Sequence, residues 1–406
     1  MSLIVQKYGG TSVADAEKIK NVARRIAKNR DEGNQVVVVV SAMGDSTDDL
    51  VTLAYQVAKK PDIRELDVLL STGEVVSSTL LAMALQDMGY AAVSLSGAQA
   101  GIRTDSAHSR ARILKIDPKR MKAELGKGNI VIVAGFQGIT DDMDVTTLGR
   151  GGSDTTAVAL AASLKAAVCQ IYTDVDGVYT ADPRLVPEAR RLAEIGYEEM
   201  LEMASYGARV MHPRAVELGE LFKIPILVAS SFTEQPGTLI HGGISMEARN
   251  KVRSIAHNPD VAKVTVVGVP DRPGIAAALL GPLAAAGISV DTIVQNASIE
   301  NITDLTFTVA KSQLTGAMAV VEPLASSIGA RECASDTRLG EVSIIGTGMQ
   351  NTPGFAARMF NTLSEEGINI QLITTSEIRI TCVITEDRVK DAVRALHRAF
   401  EIEEEG

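Results

Sequence analysis

Ile4-Val5-Gln6-Lys7-Tyr8-Gly9-Gly10-Thr11-Ser12 ends a short apolar run in a lysine and a glycine pair, just where a helical pattern begins. This arrangement suits a bound phosphate. Adjacent glycines let backbone N–H groups turn toward an anion, a helix starting near Ser12 adds its positive end, and Lys7 supplies a full charge. A strand-to-helix turn with a solvated lysine would read the same way, so a second copy matters. Thr147-Leu148-Gly149-Arg150-Gly151-Gly152-Ser153-Asp154 is also a glycine-rich turn that opens onto an alanine-rich helical segment, and two such turns can face one ligand. Up to about residue 240, β-branched runs (3–6, 35–41, 91–95, 130–134, 169–173, 224–229) alternate with helical stretches such as 15–29, 74–88 and 154–165. That alternation predicts an α/β fold with a mainly parallel sheet covered on both faces, a three-layer arrangement whose functional residues gather at the carboxyl ends of the strands. The two turns and Ser41-Ala42-Met43-Gly44-Asp45 all fall at such ends.

With 406 residues the chain is long enough for two or three domains. A formal net charge of −10, 3% aromatic residues and no tryptophan leave neither the basic footprint nor the stacking platforms of a nucleic-acid binder, and they offer nothing to an anionic membrane. Cys169, Cys333 and Cys382 fit neither a disulfide framework nor a metal site, and the expectation is a reducing cytoplasm. The N-terminus lacks a basic region followed by an apolar core, and no uninterrupted apolar span of membrane length stands out.

The texture changes around 236–260, where Pro236-Gly237-Thr238, His241-Gly242-Gly243 and Asn258-Pro259 break the pattern, and a domain boundary is expected near 245. Beyond it the chain repeats itself. Val264-Thr265-Val266-Val267-Gly268, Pro273-Gly274 and Ala286-Gly287-Ile288-Ser289-Val290 return as Val342-Ser343-Ile344-Ile345-Gly346, Pro353-Gly354 and Glu366-Gly367-Ile368-Asn369-Ile370, shifted by 78 residues at the first glycine (346 − 268) and by 80 at Gly274 (354 − 274). Each copy reads as a small ferredoxin-like βαββαβ module. The expected domains are therefore 1–245, 246–335 and 336–406. Gly346-Thr347-Gly348 mimics the start of a dinucleotide fingerprint, but Asn351 stands where the third glycine belongs.

Lys7 to Ser12, Ser41 to Gly44, Gly149 to Asp154 and Thr173-Asp174-Val175-Asp176-Gly177-Val178-Tyr179-Thr180-Ala181-Asp182-Pro183-Arg184 together resemble the aspartokinase family, and the tandem repeat resembles a pair of ACT regulatory domains behind an amino-acid-kinase fold. The resemblance spans essentially the whole chain. It implies transfer of a phosphoryl group from ATP, with Mg2+, to the side-chain carboxylate of L-aspartate, giving 4-phospho-L-aspartate, the first step toward lysine, threonine and methionine. It also implies feedback inhibition through the ACT domains. Lys7 with the amides of Gly9 and Gly10 would stabilise the transferring phosphoryl group. Arg150 would take the α-carboxylate in a bidentate fork. Glu74 and Asp154 would hold the α-ammonium, while Ser41, Thr47, Gly152 and Ser153 would orient the substrate.

Thr173, Asp174, Tyr179 and Arg184 would belong to the nucleotide site, Asp174 near the phosphates and metal as a catalytic residue beside Lys7 and Glu74. Arg209 stands where family members often have lysine, keeping the charge with a different geometry, as a second phosphate contact. Taken singly, Glu74, Thr47, Ser153 and Asp154 also suit ordinary helix N-termini. No direct metal ligand is assigned, because magnesium binds largely through phosphate oxygens and water. In the first repeat copy, Asp271, Gly274, Ile275, Ala276 and Gln295 would contact an amino-acid effector, threonine with lysine as a second candidate, and the ACT domains would pair chains into a homo-oligomer, or with a separate regulatory subunit. The competing readings are a glutamate or acetylglutamate kinase and a catalytically silent amino-acid sensor. Against the first stand the Lys7–Ser12 motif and the ACT pair; against the second stand Lys7, Glu74, Arg150 and Asp174.

Overall fold

The computed structural model describes residues 2–208, 210–243, 252–296, 301–349 and 352–402. It divides into two units, one of Met1–Tyr179 with Arg191–Met246 and one of Thr180–Arg190 with Glu247–Gly406.

The strands of the first unit are β1 (Leu3–Tyr8), β2 (Gln35–Val40), β3 (Ala92–Leu95), β4 (Ile102–Thr104), β5 (Ile113–Ile116), β6 (Ile130–Ala134), β7 (Gln137–Ile139), β8 (Val145–Thr147), β9 (Val168–Thr173), β10 (Glu194–Ile195), β11 (Ile226–Ser230) and β12 (Thr238–Ile240). Its helices are α1 (Ala16–Asp31), α2 (Ser46–Val57), α3 (Ile63–Asp87), α4 (Lys119–Gly126), α5 (Gly152–Leu164), α6 (Tyr197–Ser205) and α7 (Pro213–Phe222). The main sheet runs β10-β12-β11-β9-β1-β2-β6-β3, and β5-β4-β7-β8 form a smaller one. From β11 to β3 the main sheet is parallel. β2 shows why. Val36 to Val40 are buried without a break, as a strand covered on both faces requires. Ile4, Tyr8, Val36, Val38 and Val40 pack under α1 and α3; residues of the other parity, Lys7 among them, face the side where α5 lies.

Two details depart from the sequence reading. The glycine pair opens a short 3-10 turn, Gly10–Val13, and the long helix starts at Ala16, capped by Asp15, whose carboxylate accepts from Lys18 N. The helix expected from Glu74 begins instead at Ile63, capped by Asp62. This α3 is long and apolar enough to cross a membrane by length and composition, yet half of its most apolar stretch is buried inside the unit, and its inner face carries Asp67 and Glu74.

The second unit holds β13 (Ser254–Pro270), α8 (Ile275–Ala285), β14 (Ile293–Gln295), β15 (Ile302–Val309), α9 (Leu314–Ser327), β16 (Glu332–Ile345), α10 (Phe355–Glu365), β17 (Leu372–Thr375), β18 (Arg379–Thr385) and α11 (Val389–Ala399). Both repeat copies share one sheet, β14-β15-β13-β16-β18-β17. In the first copy the order is that of a complete ferredoxin-like module, with residues 332–339 of β16 as its fourth strand beside β13. The second copy is completed differently: Ser254–Asn258, at the start of β13, lies beside residues 341–345 of β16. Two long strands, β13 and β16, thus each serve both modules, and the start of β13 takes the place of a fourth strand in the second copy.

Candidate active site

The carboxyl ends of β1, β2, β6 and β9 bring the expected catalytic residues to one edge of the sheet. Lys7 sits on β1 between Val39 of β2 and Ile171 of β9. Its Nζ lies 2.7 Å from Asp154 Oδ1, in a close ion pair largely shielded from solvent. Asp154 and Ser153 are buried in the first turn of α5, which favours a carboxylate there. Gly9 N donates to Tyr172 O at 3.2 Å, tying the turn to β9.

After β2, Ser41 N donates to Tyr8 O at 3.1 Å, and Ser41 O accepts from Ser77 Oγ at 2.7 Å. Ala42 N donates to Glu74 Oε1 at 3.1 Å. Glu74 is 3% exposed, and its second oxygen, Oε2, is buried with no hydrogen-bond partner. Burial pushes this carboxyl up to about 7, against the pull of its backbone hydrogen bonds. A carboxylate held in that state is arranged for a cation that arrives from outside. Thr47 is half-buried in the first turn of α2.

Arg150 lies between Gly149 and Gly151, at φ +76° and +67°, and is exposed. The turn has no slack at Gly151, where an added Cβ would collide with the Cβ and imidazole ring of His212. Burial in that packing lowers the His212 pKa. Gly135, at the end of β6, is equally constrained: a Cβ there would stand 2.8 Å from Ser153 Oγ and 2.9 Å from Val40 O.

At the end of β9, Thr173 Oγ1 donates to Asp174 Oδ1 at 3.1 Å, and Asp174 is exposed. Thr173 O accepts from Ser231 N at 2.8 Å, and Ser231 Oγ in turn accepts from Ser12 Oγ at 2.8 Å. Tyr179 is half-buried and pairs with Arg191 in a single antiparallel bridge. Arg184 falls in the second unit, its guanidinium on Asp182 at 2.8 Å and largely exposed. Arg209 lies outside the described residues. The residues that sequence reading passed over are Asp67, Ser77 and Gly135. Asp67 and Ser77 carried a signal, since they share the Glu74 face of one apolar helix.

A phosphate-suited glycine turn, a lysine on a central parallel strand, and a buried glutamate with one unpartnered oxygen fit a small-molecule kinase of the amino-acid type. Comparison with known proteins agrees. Residues 2–230 match the amino acid kinase family, and residues 263–325 and 342–400 each match the ACT domain. The aspartokinase of Pseudomonas aeruginosa is 53% identical over 405 residues, covering 99% of this chain and 98% of that protein. Among solved structures, aspartokinase III of E. coli in complex with aspartate and ADP superposes with a TM-score of 0.83 at 26% identity, covering 98% of this chain and 100% of that one; the same enzyme with lysine and aspartate gives 0.74 at 27% identity, covering 98% and 99%. The chain belongs to the aspartokinase family.

Proposed function

We propose that this chain phosphorylates the side-chain carboxylate of L-aspartate and that the edge formed by β1, β2, β9 and the start of α5 is where it does so. The observation that carries the reading is Glu74, a buried carboxylate with one oxygen bound to the Ala42 amide and the other unpartnered. It is the natural seat of the substrate's α-ammonium, shared with Asp154 beside Lys7, and Arg150 offers a fork to the α-carboxylate. Ser41, Thr47, Gly152 and Ser153 shape the remaining contacts.

The substrate's side-chain oxygen attacks the γ-phosphorus of ATP as the bond to the β–γ bridging oxygen breaks, yielding an acyl phosphate and ADP. No general base is required, because the attacking carboxylate is already ionised at neutral pH. The difficulty is bringing two anions together and stabilising charge on the transferring group. Lys7 answers both needs once it moves from Asp154 toward phosphate oxygens, with the Gly9 and Gly10 amides beside it. Thr173 ends β9, with Asp174 and Tyr179 beyond it, where the nucleotide would be received, and Arg209 is assigned to its phosphates. Mg2+, held mainly by nucleotide phosphates and water, would neutralise charge there. A cytoplasmic setting accords with three cysteines free of disulfides. The exposed Ile293 on β14 and Ile373 on β17, at the two sheet edges, suit pairing of ACT sheets between chains.

Trapping the acyl phosphate with hydroxylamine tests the whole reading. Hydroxamate should form with ATP and aspartate and not with glutamate or N-acetylglutamate. Formation with glutamate would move the chain to a neighbouring specificity, and none with any of the three would leave a silent sensor.

A further inference from the structure

The turn that carries Arg150 is held by a carboxylate that lies off the substrate's path. Asp67, on α3 about two helical turns before Glu74, is fully buried. Its Oδ1 accepts from Thr147 Oγ1 at 2.6 Å and Ser109 N at 3.1 Å. Its Oδ2 accepts from Thr147 N at 3.0 Å and Ser109 N at 2.9 Å, and lies 3.0 Å from His108 Nδ1. Its ion-pair partner among the described residues is His108. Backbone N–H groups and a hydroxyl provide the solvation, so its geometry is tightly specified.

From another side, Arg214 of α7 donates to Leu148 O at 2.8 Å and to Ala111 O at 3.1 Å, while Ala111 N donates to Thr147 O at 2.9 Å. Thr147 and Leu148 are therefore pinned from two helices, and the positive-φ glycines that follow carry the chain into α5 with Arg150 between them.

We infer that Asp67 is a positioning residue for the amino-acid substrate: it fixes the Arg150 turn to the same helix that presents Glu74, so that the cation for the α-carboxylate and the anion for the α-ammonium are held in one register. The inference rests on the proposed role of Arg150. A core-filling role alone would call for an apolar side chain here. It would not call for a carboxylate whose acceptor positions are divided between the His108–Ser109 loop and Thr147, which leads into the Arg150 turn.

The test uses the full-length chain and four variants, Asp67→Asn, Thr147→Val, Arg150→Ala and the double variant Asp67→Asn with Arg150→Ala. Thr147→Val removes only the 2.6 Å hydroxyl bond and keeps the experiment decisive if Asp67→Asn fails to fold. Asp67→Asn should raise the KM for aspartate about tenfold, and Thr147→Val about threefold, with the KM for ATP unchanged. Because Asp67 acts through Arg150, the double variant should be no worse toward aspartate than Arg150→Ala alone. If Arg150→Ala raises the aspartate KM while folded Asp67→Asn and Thr147→Val leave it alone, or if the double variant shows the full product of both effects, the positioning role falls. If Arg150→Ala itself leaves aspartate KM unchanged, the reading of Arg150 falls, and the role given to Asp67 falls with it.

Discussion

Glu74 and Lys7 are opposite solutions to one problem, the holding of charge at the end of a buried sheet. Lys7 is compensated by Asp154 at 2.7 Å, so its removal leaves a shielded anion as well as a missing cation. Lys7→Ala should give a folded enzyme whose kcat falls about 10²-fold or more, measured by the hydroxamate assay; near-normal turnover would remove Lys7 from the chemistry. Glu74 is left uncompensated on one oxygen and titrates near 7 because burial disfavours its charge. Its folded-state pKa is raised above the unfolded value, so the stability linked to this group is greatest at low pH and is lost as pH rises through about 7. Glu74→Gln should therefore stabilise the chain at pH 8, by up to about 3 kcal/mol, and change little at pH 5, while aspartate affinity is lost. In the wild type, kcat/KM for aspartate should decline as pH drops below about 7. A Glu74→Gln melting curve that shifts equally at both pH values would refute the assignment. Motif and residue type single out these two residues. For Asp67 only the helix face shared with Glu74 was legible, because the amides it reaches belong to Ser109 and Thr147, far away in sequence.

At the scale of elements, alternation of β-branched runs with helical stretches located the central parallel strands, since a strand buried on both faces must be apolar throughout. Start points were harder to read. α3 begins at Ile63 because Asp62 caps it, accepting from Arg64 N and Glu65 N, a local signal that the larger glycine motifs obscured. The Thr173–Arg184 motif reads as one continuous nucleotide segment, yet the fold divides it: Thr180–Arg190 belongs to the second unit. There Ala181 and Val186 join the core formed with Val342, Ile344 and Leu396, Thr180 Oγ1 lies 3.0 Å from His397 Nε2, and Arg394 donates to Leu185 O at 2.7 Å. Only long-range packing could reveal this excursion. Val186→Ala should cost about 2 kcal/mol through lost burial and the cavity left behind, and chemical denaturation followed in the second unit should show it. An unchanged midpoint would mean that the segment is a surface strap and not a part of that core.

For the whole molecule, the argument concerns how a regulatory unit would report an amino acid. Asp271, Gly274, Ile275 and Ala276 occupy the loop after β13 and the start of α8, Gly274 at φ +93°, while Gln295 ends β14. β13 and β14 both pair antiparallel with β15, so these residues come to the same end of the first ACT copy. A loop-to-helix start suits an amino acid's carboxylate, and Asp271, exposed beside it, suits its ammonium. Threonine is the effector expected there, with lysine as the second candidate. Inhibition demands that the effector bind two conformations unequally, and a coupling of about 1 to 3 kcal/mol is enough for strong feedback. Calorimetry should be run on the full chain, because a fragment starting near residue 246 would lack Ala181 and Val186 from its own core. Threonine should bind and lower activity at fixed aspartate, and Asp271→Ala should abolish both effects while leaving uninhibited turnover intact. Full inhibition by threonine in the Asp271→Ala variant would place the effector elsewhere, and no heat with no inhibition from either amino acid would end the assignment.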